Sequence, residues 1–226
     1  MKAIPVITLD GPGGVGKGTL SRLLARDLGW HLLDSGAIYR ALALAAQRAG
    51  LHADEEAALS DLARALPLSF RGDADETHVL LAGDSVDAEI RAPEISALTS
   101  QIAAIPMVRA ALLQRQRDFR RAPGLVADGR DMGTVVFPDA PLKVFLTASV
   151  EERGKRRLNQ LMEQGISANL ATVVAEIAER DARDQQRSVA PLRPAPGAHL
   201  LDTSGQSVSD TYRVLQGWVQ STLQEN

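Results

Sequence analysis

The sequence predicts an α/β fold with a five-stranded parallel sheet and helices on both of its faces. Five short apolar segments alternate with amphipathic segments of helical period, which is typical of repeated βα units. A length of 226 residues and an apolar content of 45% suit one such domain with room for an insertion. The predicted strands are 4–10, 30–33, 125–127, 142–146 and 199–201.

The first predicted strand leads directly into a glycine-rich loop that contains a lysine, and a helix follows at 20–29. Strand, loop and helix in this order are the context of a phosphate-binding P-loop. Glycines let backbone N–H groups turn toward phosphate oxygens, and the helix N-terminus adds free N–H groups and a positive dipole end. The alternative is a glycine-rich turn that only caps a helix. The residues of the predicted P-loop are Gly11, Pro12, Gly13, Gly14, Val15, Gly16, Lys17, Gly18 and Thr19.

The end of this loop departs from the usual P-loop spacing, in which a hydroxyl residue follows the lysine directly. Here Gly18 stands between Lys17 and Thr19. Lys17 would still place its ammonium group against the β- and γ-phosphates of ATP. For Mg²⁺ the pattern leaves two possibilities, which are direct ligation by Thr19 and a metal held largely through waters and phosphate oxygens.

The segments between the strands predict helices in order along the chain. Ser149 and Glu152 have the spacing of a capping box and open one helix, and Ser207 with Asp210 marks the start of the last. The remaining predicted helices are 37–50, 54–65, 106–121 and 168–187.

Residues 67–91 depart from this βα rhythm. Short apolar pieces are separated there by the turn dipeptides Gly72-Asp73 and Gly83-Asp84, which predicts antiparallel hairpins. We therefore expect a single domain spanning 1–226, with a small inserted antiparallel-sheet subdomain at about 63–103.

Composition and charge limit the compartment and the partners. Zero cysteines exclude disulfides and thiolate metal sites and fit a reducing compartment. No apolar run approaches 18 residues and no signal-peptide core precedes the first strand, so we expect a cytoplasmic protein without a membrane partner. The net charge of −3 gives no basic footprint for nucleic acid. Nothing in the sequence indicates a strong oligomer interface, and we expect a monomer.

Polar residues follow three of the predicted strands. Lys17 comes after the first, Asp34 and Ser35 after the second, and the run 128–131 (Asp-Gly-Arg-Asp) after the third. Because the carboxyl ends of parallel strands meet at one edge of a sheet, we expect two facing phosphate sites there. Asp128 has two interpretations that the residues leave open: a cap or turn aspartate, or a carboxylate that organises Mg²⁺, directly or through water.

Two later segments are rich in arginine. Arg180, Asp184 and Arg187 are spaced to lie on one helix face, and a second run at 152–157 precedes them. Both could be solvated faces with surface ion pairs. Arginine, however, pairs two phosphate oxygens at once, and phosphoryl transfer depends mainly on positioning and charge neutralisation. We therefore expect 153–165 to be a lid that closes over ATP and excludes water.

Taken together, these residues resemble the bacterial cytidylate (CMP) kinases, a family of nucleoside monophosphate kinases. The resemblance extends over essentially the whole chain, and its most specific stretches are LLDSGAIYR at 32–40 and VADGRDMGTVVFPDA at 126–140. It implies transfer of the γ-phosphoryl group of ATP, with Mg²⁺, to CMP or dCMP in pyrimidine nucleotide metabolism. It also implies that the inserted subdomain binds the monophosphate.

The resemblance implies a role for each residue that matches a family motif. In the acceptor site it implies phosphate clamps, a group that reads the base, and contacts to the ribose and phosphate. The implied clamps are Arg40 and Arg130, with Ser35 nearby, and the implied base readers are Ser100, Arg109 and Asp131. The implied ribose and phosphate contacts are Arg180 and Asp184, with Arg187 completing the site. The residues implied to stabilise charge on the transferred phosphoryl group are Lys17, Arg130, Arg156, Arg157 and Arg180.

The implied base reader also makes chemical sense. Cytosine presents an exocyclic amine beside a ring nitrogen and a carbonyl, so an aspartate can accept from the amine while an arginine donates to the acceptors. Uracil carries a carbonyl where cytosine carries the amine, so the carbonyl oxygen would face a buried carboxylate. The alternative for Asp131 is a structural partner for Arg130 or Arg109.

Two other functions compete with this interpretation. One is a monophosphate kinase for UMP or AMP. The other is a P-loop switch or binding module without an acceptor, but the Asn-Lys-x-Asp guanine reader of GTPase switches is absent from the sequence. Arginines at three separate sites would also be hard to explain in a module that holds one nucleotide.

Overall fold

A computed structural model describes residues 3–72, 77–163 and 165–224. The helices are Lys17–Leu28 (α1), Ser35–Arg48 (α2), Glu56–Ala65 (α3), Pro93–Ile102 (α4), Pro106–Arg117 (α5), Val150–Glu163 (α6), Leu170–Gln186 (α7) and Val208–Gln224 (α8). The strands are Val6–Asp10 (β1), His31–Asp34 (β2), Leu68–Arg71 (β3), His78–Leu81 (β4), Asp84–Ser85 (β5), Leu125–Gly129 (β6), Leu142–Thr147 (β7) and His199–Asp202 (β8). A 3-10 turn at Glu89–Arg91 and a π-helical turn at Met132–Val136 complete the elements.

The main sheet is parallel and has five strands in the order β2-β6-β1-β7-β8. The prediction of a five-stranded parallel α/β sheet is therefore confirmed. β1 and β6 are buried at all five positions, as expected for central strands that are covered on both faces. Because all five strands point the same way, the residues after β1, β2 and β6 meet at one edge.

Alternate residues of the central strands face two separate cores. Val6 and Leu125 pack with α2, α4 and α5 on one face. Ile7, Leu9 and Val126 pack with α1 and α8 on the other. Helices therefore cover both faces of the sheet, and its carboxyl edge is left for the polar residues.

The predicted antiparallel insertion is present as a three-stranded sheet in the order β3-β4-β5. Gly83 at the second predicted turn has a φ of 96°, a left-handed conformation that glycine adopts without strain. Asp73 of the first predicted turn lies outside the described residues. The sequence analysis predicted no helix for α4, which follows the small sheet and begins at Pro93.

Several helix boundaries differ from the predictions by a few residues. α1 begins at Lys17 rather than residue 20, because its first turn continues the P-loop directly. α5 ends at Arg117 rather than residue 121, and Arg120 instead donates from Nε to the carbonyl of Ile4 at 2.7 Å. Only half of the predicted capping box forms: Glu152 N donates to Ser149 Oγ at 3.2 Å, while Ser149 N donates to Ser204 Oγ.

Within residues 3–72, 77–163 and 165–224, no single helix is long and apolar enough to cross a membrane. One bent pair, α4 with α5, passes the same test of length and composition, with an angle of 100° at the break. Both helices contribute buried residues to the core beside the sheet.

Candidate active site at the carboxyl edge of the sheet

The P-loop joins β1 to α1 at the middle of the carboxyl edge. Gly11, Gly14 and Gly16 have positive φ values of 146°, 80° and 90°. At Gly11 a side chain would also collide, since a Cβ atom would lie 2.3 Å from the carbonyl oxygen of Leu146. The glycines are therefore required by the loop geometry, which turns the backbone into the start of α1.

Lys17 is buried beside the P-loop and faces a carboxylate. Its Nζ donates to the carbonyl of Pro12 at 2.8 Å and lies 4.0 Å from Asp128 Oδ1. Burial lowers the pKa of Lys17, with a further contribution from the Arg130 cation, and burial raises the pKa of Asp128. Both pKa shifts mean that the charges of Lys17 and Asp128 are incompletely compensated. A phosphate oxygen would compensate Lys17, and a cation would compensate Asp128.

Arg40, Arg130 and Arg180 lie near this pair, and Arg157 lies near Arg40. Arg130 donates from Nε to Asp184 Oδ2 at 3.1 Å, and Arg40 lies 3.5 Å from Asp34 Oδ2. Burial and the neighbouring Arg130 lower the pKa of Arg180 to about 10. Burial and Arg40 likewise lower the pKa of Arg157. Like charges held this close at a buried site favour binding of an anion.

A second group of buried charges lies next to this cluster and joins α5, α7 and the loop after β6. Arg109 forms an ion pair with Asp131 Oδ2, and both side chains are less than a tenth exposed. Arg109 and Arg187 also donate to the same backbone carbonyl, that of Ala103, at 3.0 and 3.4 Å. No hydrogen bond to Asp131 Oδ1 forms among the described parts of the chain, so this oxygen is free to accept from a ligand.

Asp184 connects the two groups. Its carboxylate accepts from Arg130 at 3.1 Å and pairs with Arg187 at 2.7 Å. Burial opposes ionisation of Asp184, but Arg130, Arg187 and Arg180 hold its pKa below the usual range. Asp184 is therefore ionised, and its negative charge lies among the guanidinium groups of Arg130, Arg180 and Arg187.

A cavity of about 200 Å³ opens against Arg109 and Asp131. It is mostly apolar, with Tyr39 in its wall, and a cavity of this kind suits a flat ring between hydrophobic side chains. Buried polar atoms near it lack hydrogen-bond partners among the described residues, as expected where a ligand supplies them. One of these atoms is Arg109 Nε in the cavity wall, and another is Nε of Arg187, which shares the Ala103 carbonyl with Arg109. Ser100 Oγ, on α4, is likewise buried without a hydrogen-bond partner among the described residues.

Ser35 lies at the first turn of α2, where Asp34 caps the helix by accepting from Ala37 N at 2.9 Å. The Ser35 hydroxyl donates to Gln116 Oε1 at 2.7 Å. Gln116 in turn lines the same cavity as Asp131. Ser35 therefore lies near this cavity through Gln116, a residue for which the sequence offered no signal.

Arg156 lies in a different place from the other predicted phosphoryl-stabilising residues. Its guanidinium donates to the carbonyl of Gly14 at 3.3 Å and to the carbonyl of Thr203 at 2.6 Å. It lines a cavity of about 220 Å³ on the outer side of the P-loop, and Thr19 lines the same cavity. Thr19 thus lines the outer cavity, whereas Asp128 faces Lys17 and lies close to Gly18, the neighbour of Thr19.

Arg153, the first residue of the predicted lid, is buried. It pairs with Asp181 at 2.6 Å and donates to the carbonyls of Ala148 and Gly13 at 3.1 and 3.3 Å. Gly154 allows α6 and α7 to pack closely, since a Cβ atom there would lie 2.5 Å from Val174 Cγ2. Most of the segment 153–165 is therefore the end of a packed helix, and residue 164 lies outside the described residues.

Most of the predicted residues lie at the expected edge, but three contributors were not predicted. Asp10 and Thr203 directly end or follow parallel strands, so the strand-end rule could have found them. Gln116 faces inward from α5, and only packing shows which way its side chain points. In the described residues no three His, Cys, Asp or Glu side chains are grouped as a metal site.

The central P-loop and the cluster of arginines beside it define the class of the protein, a P-loop α/β protein of the kinase type. A structure of an uncharacterized protein from Eubacterium ventriosum matches 96% of this chain and 98% of its own, with a TM-score of 0.53 and 8% identity. That likeness concerns the fold alone.

Sequence comparison is more specific. The cytidylate kinase family model matches residues 7–219. A cytidylate kinase from Photobacterium profundum is 52% identical over 221 residues, which is 98% of this chain and 97% of the relative. One from Bordetella bronchiseptica is 56% identical over 217 residues, or 96% of each chain. The chain belongs to the cytidylate kinase family, and the resemblance noted in the sequence is confirmed.

Proposed function

We propose that this protein transfers the γ-phosphoryl group of ATP, with Mg²⁺, to CMP or dCMP and releases the diphosphate. As a member of the cytidylate kinase family it is a phosphotransferase that acts on CMP. The proposal adds the donor, the metal, the deoxy substrate and the residue roles. The observation that carries it is the cluster of cations at the sheet edge, where Arg130 and burial lower the pKa values of both Lys17 and Arg180.

In the proposed arrangement the donor lies along the P-loop with its terminal phosphate near Lys17. The outer cavity beside Arg156 and Thr203 has the size and position to receive the rest of the donor nucleotide. Amide groups of the loop and the start of α1 hold the phosphates. Lys17 then stays protonated, because the added negative charge raises the pKa that burial has lowered.

In the same arrangement the acceptor phosphate lies among Arg40, Arg130 and Arg180, with Ser35 nearby. Arg130 and Arg180 approach the donor side as well, so they can neutralise charge on the phosphoryl group during its transfer. Arg157 adds positive charge beside Arg40. No general base is required, because the acceptor is already an anionic phosphate oxygen at neutral pH.

Base selection is assigned to Asp131 together with Arg109 and Ser100. One oxygen of Asp131 is occupied by Arg109, and the other is available to the exocyclic amine of cytosine. We assign Asp184 and Arg187 to contacts with the ribose and phosphate. A uracil carbonyl at the amine position would face a buried carboxylate, which supports a preference for cytosine over uracil.

Asp128 is the carboxylate that fits Mg²⁺ best. It lies opposite Asp34 in the register of β2 with β6, and its raised pKa shows that a nearby cation would stabilise its charge. When bound, Mg²⁺ would shield the donor phosphates and organise their oxygens. We assign the remaining ligands to phosphate oxygens and waters.

The deciding experiment measures ADP release with ATP and each common nucleoside monophosphate in turn. We expect CMP and dCMP to be used fastest, with dependence on Mg²⁺. Faster turnover of UMP or AMP would contradict the assignment of the acceptor. Hydrolysis of ATP at the same rate with and without a monophosphate would contradict an acceptor site altogether. The cytoplasmic location and the monomeric state stay predictions, and size-exclusion chromatography with light scattering tests the second.

A further inference from the structure

Asp10 is a buried carboxylate to which the proposed reaction assigns no task. It is the last residue of β1, and its residue surface is 3% exposed. Oδ1 accepts from the backbone N–H of Met132 at 2.8 Å, and Oδ2 accepts from that of Gly133 at 2.8 Å. Both carboxylate oxygens are thus used to hold the loop that follows Arg130 and Asp131.

The two N–H groups belong to the first residues of the π-helical turn at Met132–Val136. Such N–H groups have no partner within their own turn and are usually capped by the side chain of the preceding residue. Asp131 occupies that position and is a residue type that caps well. It makes no capping hydrogen bond here, because its carboxylate is turned to Arg109 instead.

We propose that Asp10 caps this turn in place of Asp131, and thereby keeps the Asp131 carboxylate directed at Arg109 and at the acceptor base. Asp10 is then a positioning residue for acceptor selection, located outside the acceptor pocket. This inference rests on the proposed function, in which Asp131 reads the base. The inference goes beyond the proposed function because it names the residue that prevents Asp131 from capping its own turn.

The surroundings of Asp10 support this role. Burial raises the pKa of Asp10 to about 7, and the two amide hydrogen bonds from Gly133 and Met132 act against that rise. A buried carboxylate with this cost persists only where its hydrogen bonds are needed. Asp10 also directly precedes Gly11, the first residue of the P-loop. The residue that holds the loop of Asp131 therefore adjoins the start of the P-loop.

Asp10→Ala removes both acceptors and leaves two buried N–H groups for Asp131 to satisfy. We expect the KM for CMP to rise by about 10- to 100-fold and the preference for CMP over UMP in kcat/KM to fall by a similar factor. The KM for ATP should change by less than about threefold, because the glycines and Arg153 hold the P-loop independently. Asp10→Asn keeps one acceptor and the side-chain volume, so it should shift the same quantities in the same direction by less.

Thr8→Val is the matched control. Thr8 lies two residues earlier in β1, it is fully buried, and its Oγ1 has no hydrogen-bond partner among the described residues. The substitution therefore removes a polar atom from the same strand without removing a hydrogen bond. We expect both KM values and the CMP preference to stay within about twofold of wild type.

A double-mutant cycle separates positioning from general damage. If Asp10 acts through Asp131, Asp10→Ala should reduce the CMP preference by less than about threefold in an Asp131→Asn background. Equal losses in both backgrounds, or equal rises in the KM for CMP and for ATP, would overturn the role of Asp10. A wild-type protein that does not use CMP would instead overturn the proposed function, so the two failures are distinguishable.

Discussion

Asp131→Asn is the sharpest test of how the acceptor base is selected. The substitution keeps the size of a side chain that is 4% exposed and removes its charge. If the amide oxygen keeps the hydrogen bond from Arg109, the amide NH₂ group occupies the position of Oδ1. Two donors then oppose each other at the cytosine amine, whereas the uracil carbonyl at the same position gains a donor.

The magnitude follows from these two changes. Losing one charge-assisted hydrogen bond to CMP costs about 1.5–3 kcal/mol, and the new donor improves UMP by a comparable amount or less. The ratio of kcat/KM for CMP to that for UMP should therefore fall by about 10-fold to 10,000-fold, at about 1.4 kcal/mol for each factor of ten. The KM for ATP should stay within about threefold of wild type, since the P-loop is unchanged.

The assay is steady-state ADP release at saturating ATP with CMP or UMP varied, together with thermal unfolding of each variant. Asp139→Asn is the matched control, because it removes an aspartate that pairs with Arg120 at 2.7 Å on the surface, with a side chain 58% exposed. That control should leave the ratio unchanged. A change below about threefold in the ratio for Asp131→Asn, or a parallel rise in the KM for ATP, would show that Asp131 is only a structural partner of Arg109.

Three further outcomes can be measured. Lys17→Met should lower kcat by about 100-fold or more while the KM for CMP changes less than about threefold, since the ammonium acts on the transferred group; a larger rise in that KM would refute this role. Gly11→Ala should lower the free energy of unfolding by about 3 kcal/mol or more in chemical denaturation, because its Cβ would collide with the carbonyl of Leu146. The control Gly217→Ala, in open space on α8, should raise the free energy of unfolding by up to about 1 kcal/mol. The pKa of Asp10 is raised from 3.8 to about 7 in the folded chain, so the folded state holds a proton that the unfolded state releases within this range. Wild-type stability relative to Asp10→Asn should therefore fall as pH rises from about 4 to about 7, by at most about 4 kcal/mol, and a difference that is flat or rises with pH would contradict the shift.

The elements that were predicted well are those with a strong local signal. The P-loop was recognisable because a buried strand, closely spaced glycines and a lysine occur together within residues 4–19. The antiparallel insertion was recognisable from turn dipeptides such as Gly83-Asp84. The helix α4 was missed because the preceding hairpin pattern suggested continued turns, and its stability comes from packing Ile95 and Ile102 into the core beside α2.

The sequence predicted which residues belong to the candidate site better than it predicted where they lie relative to one another. Strand ends and helical spacing placed Asp128, Arg130 and Arg180 at one edge, and the structure has them there. Their functional roles stay predictions. Thr19 and Arg156 were grouped with the others by motif, but they line the outer cavity.

What the sequence by itself determined is the five parallel strands, most of the helices, the phosphate loop, the family and therefore the reaction on CMP. These follow from periodicity and from motifs whose residues are neighbours in the chain. Only the tertiary structure decided the partner of each charge: Asp131 faces Arg109, Asp10 caps the turn after Asp131, and Arg153 is buried against Asp181. The physical reason is that a buried charge is stabilised by groups brought close through packing, and the residues that supply these groups are up to 123 positions away in the chain.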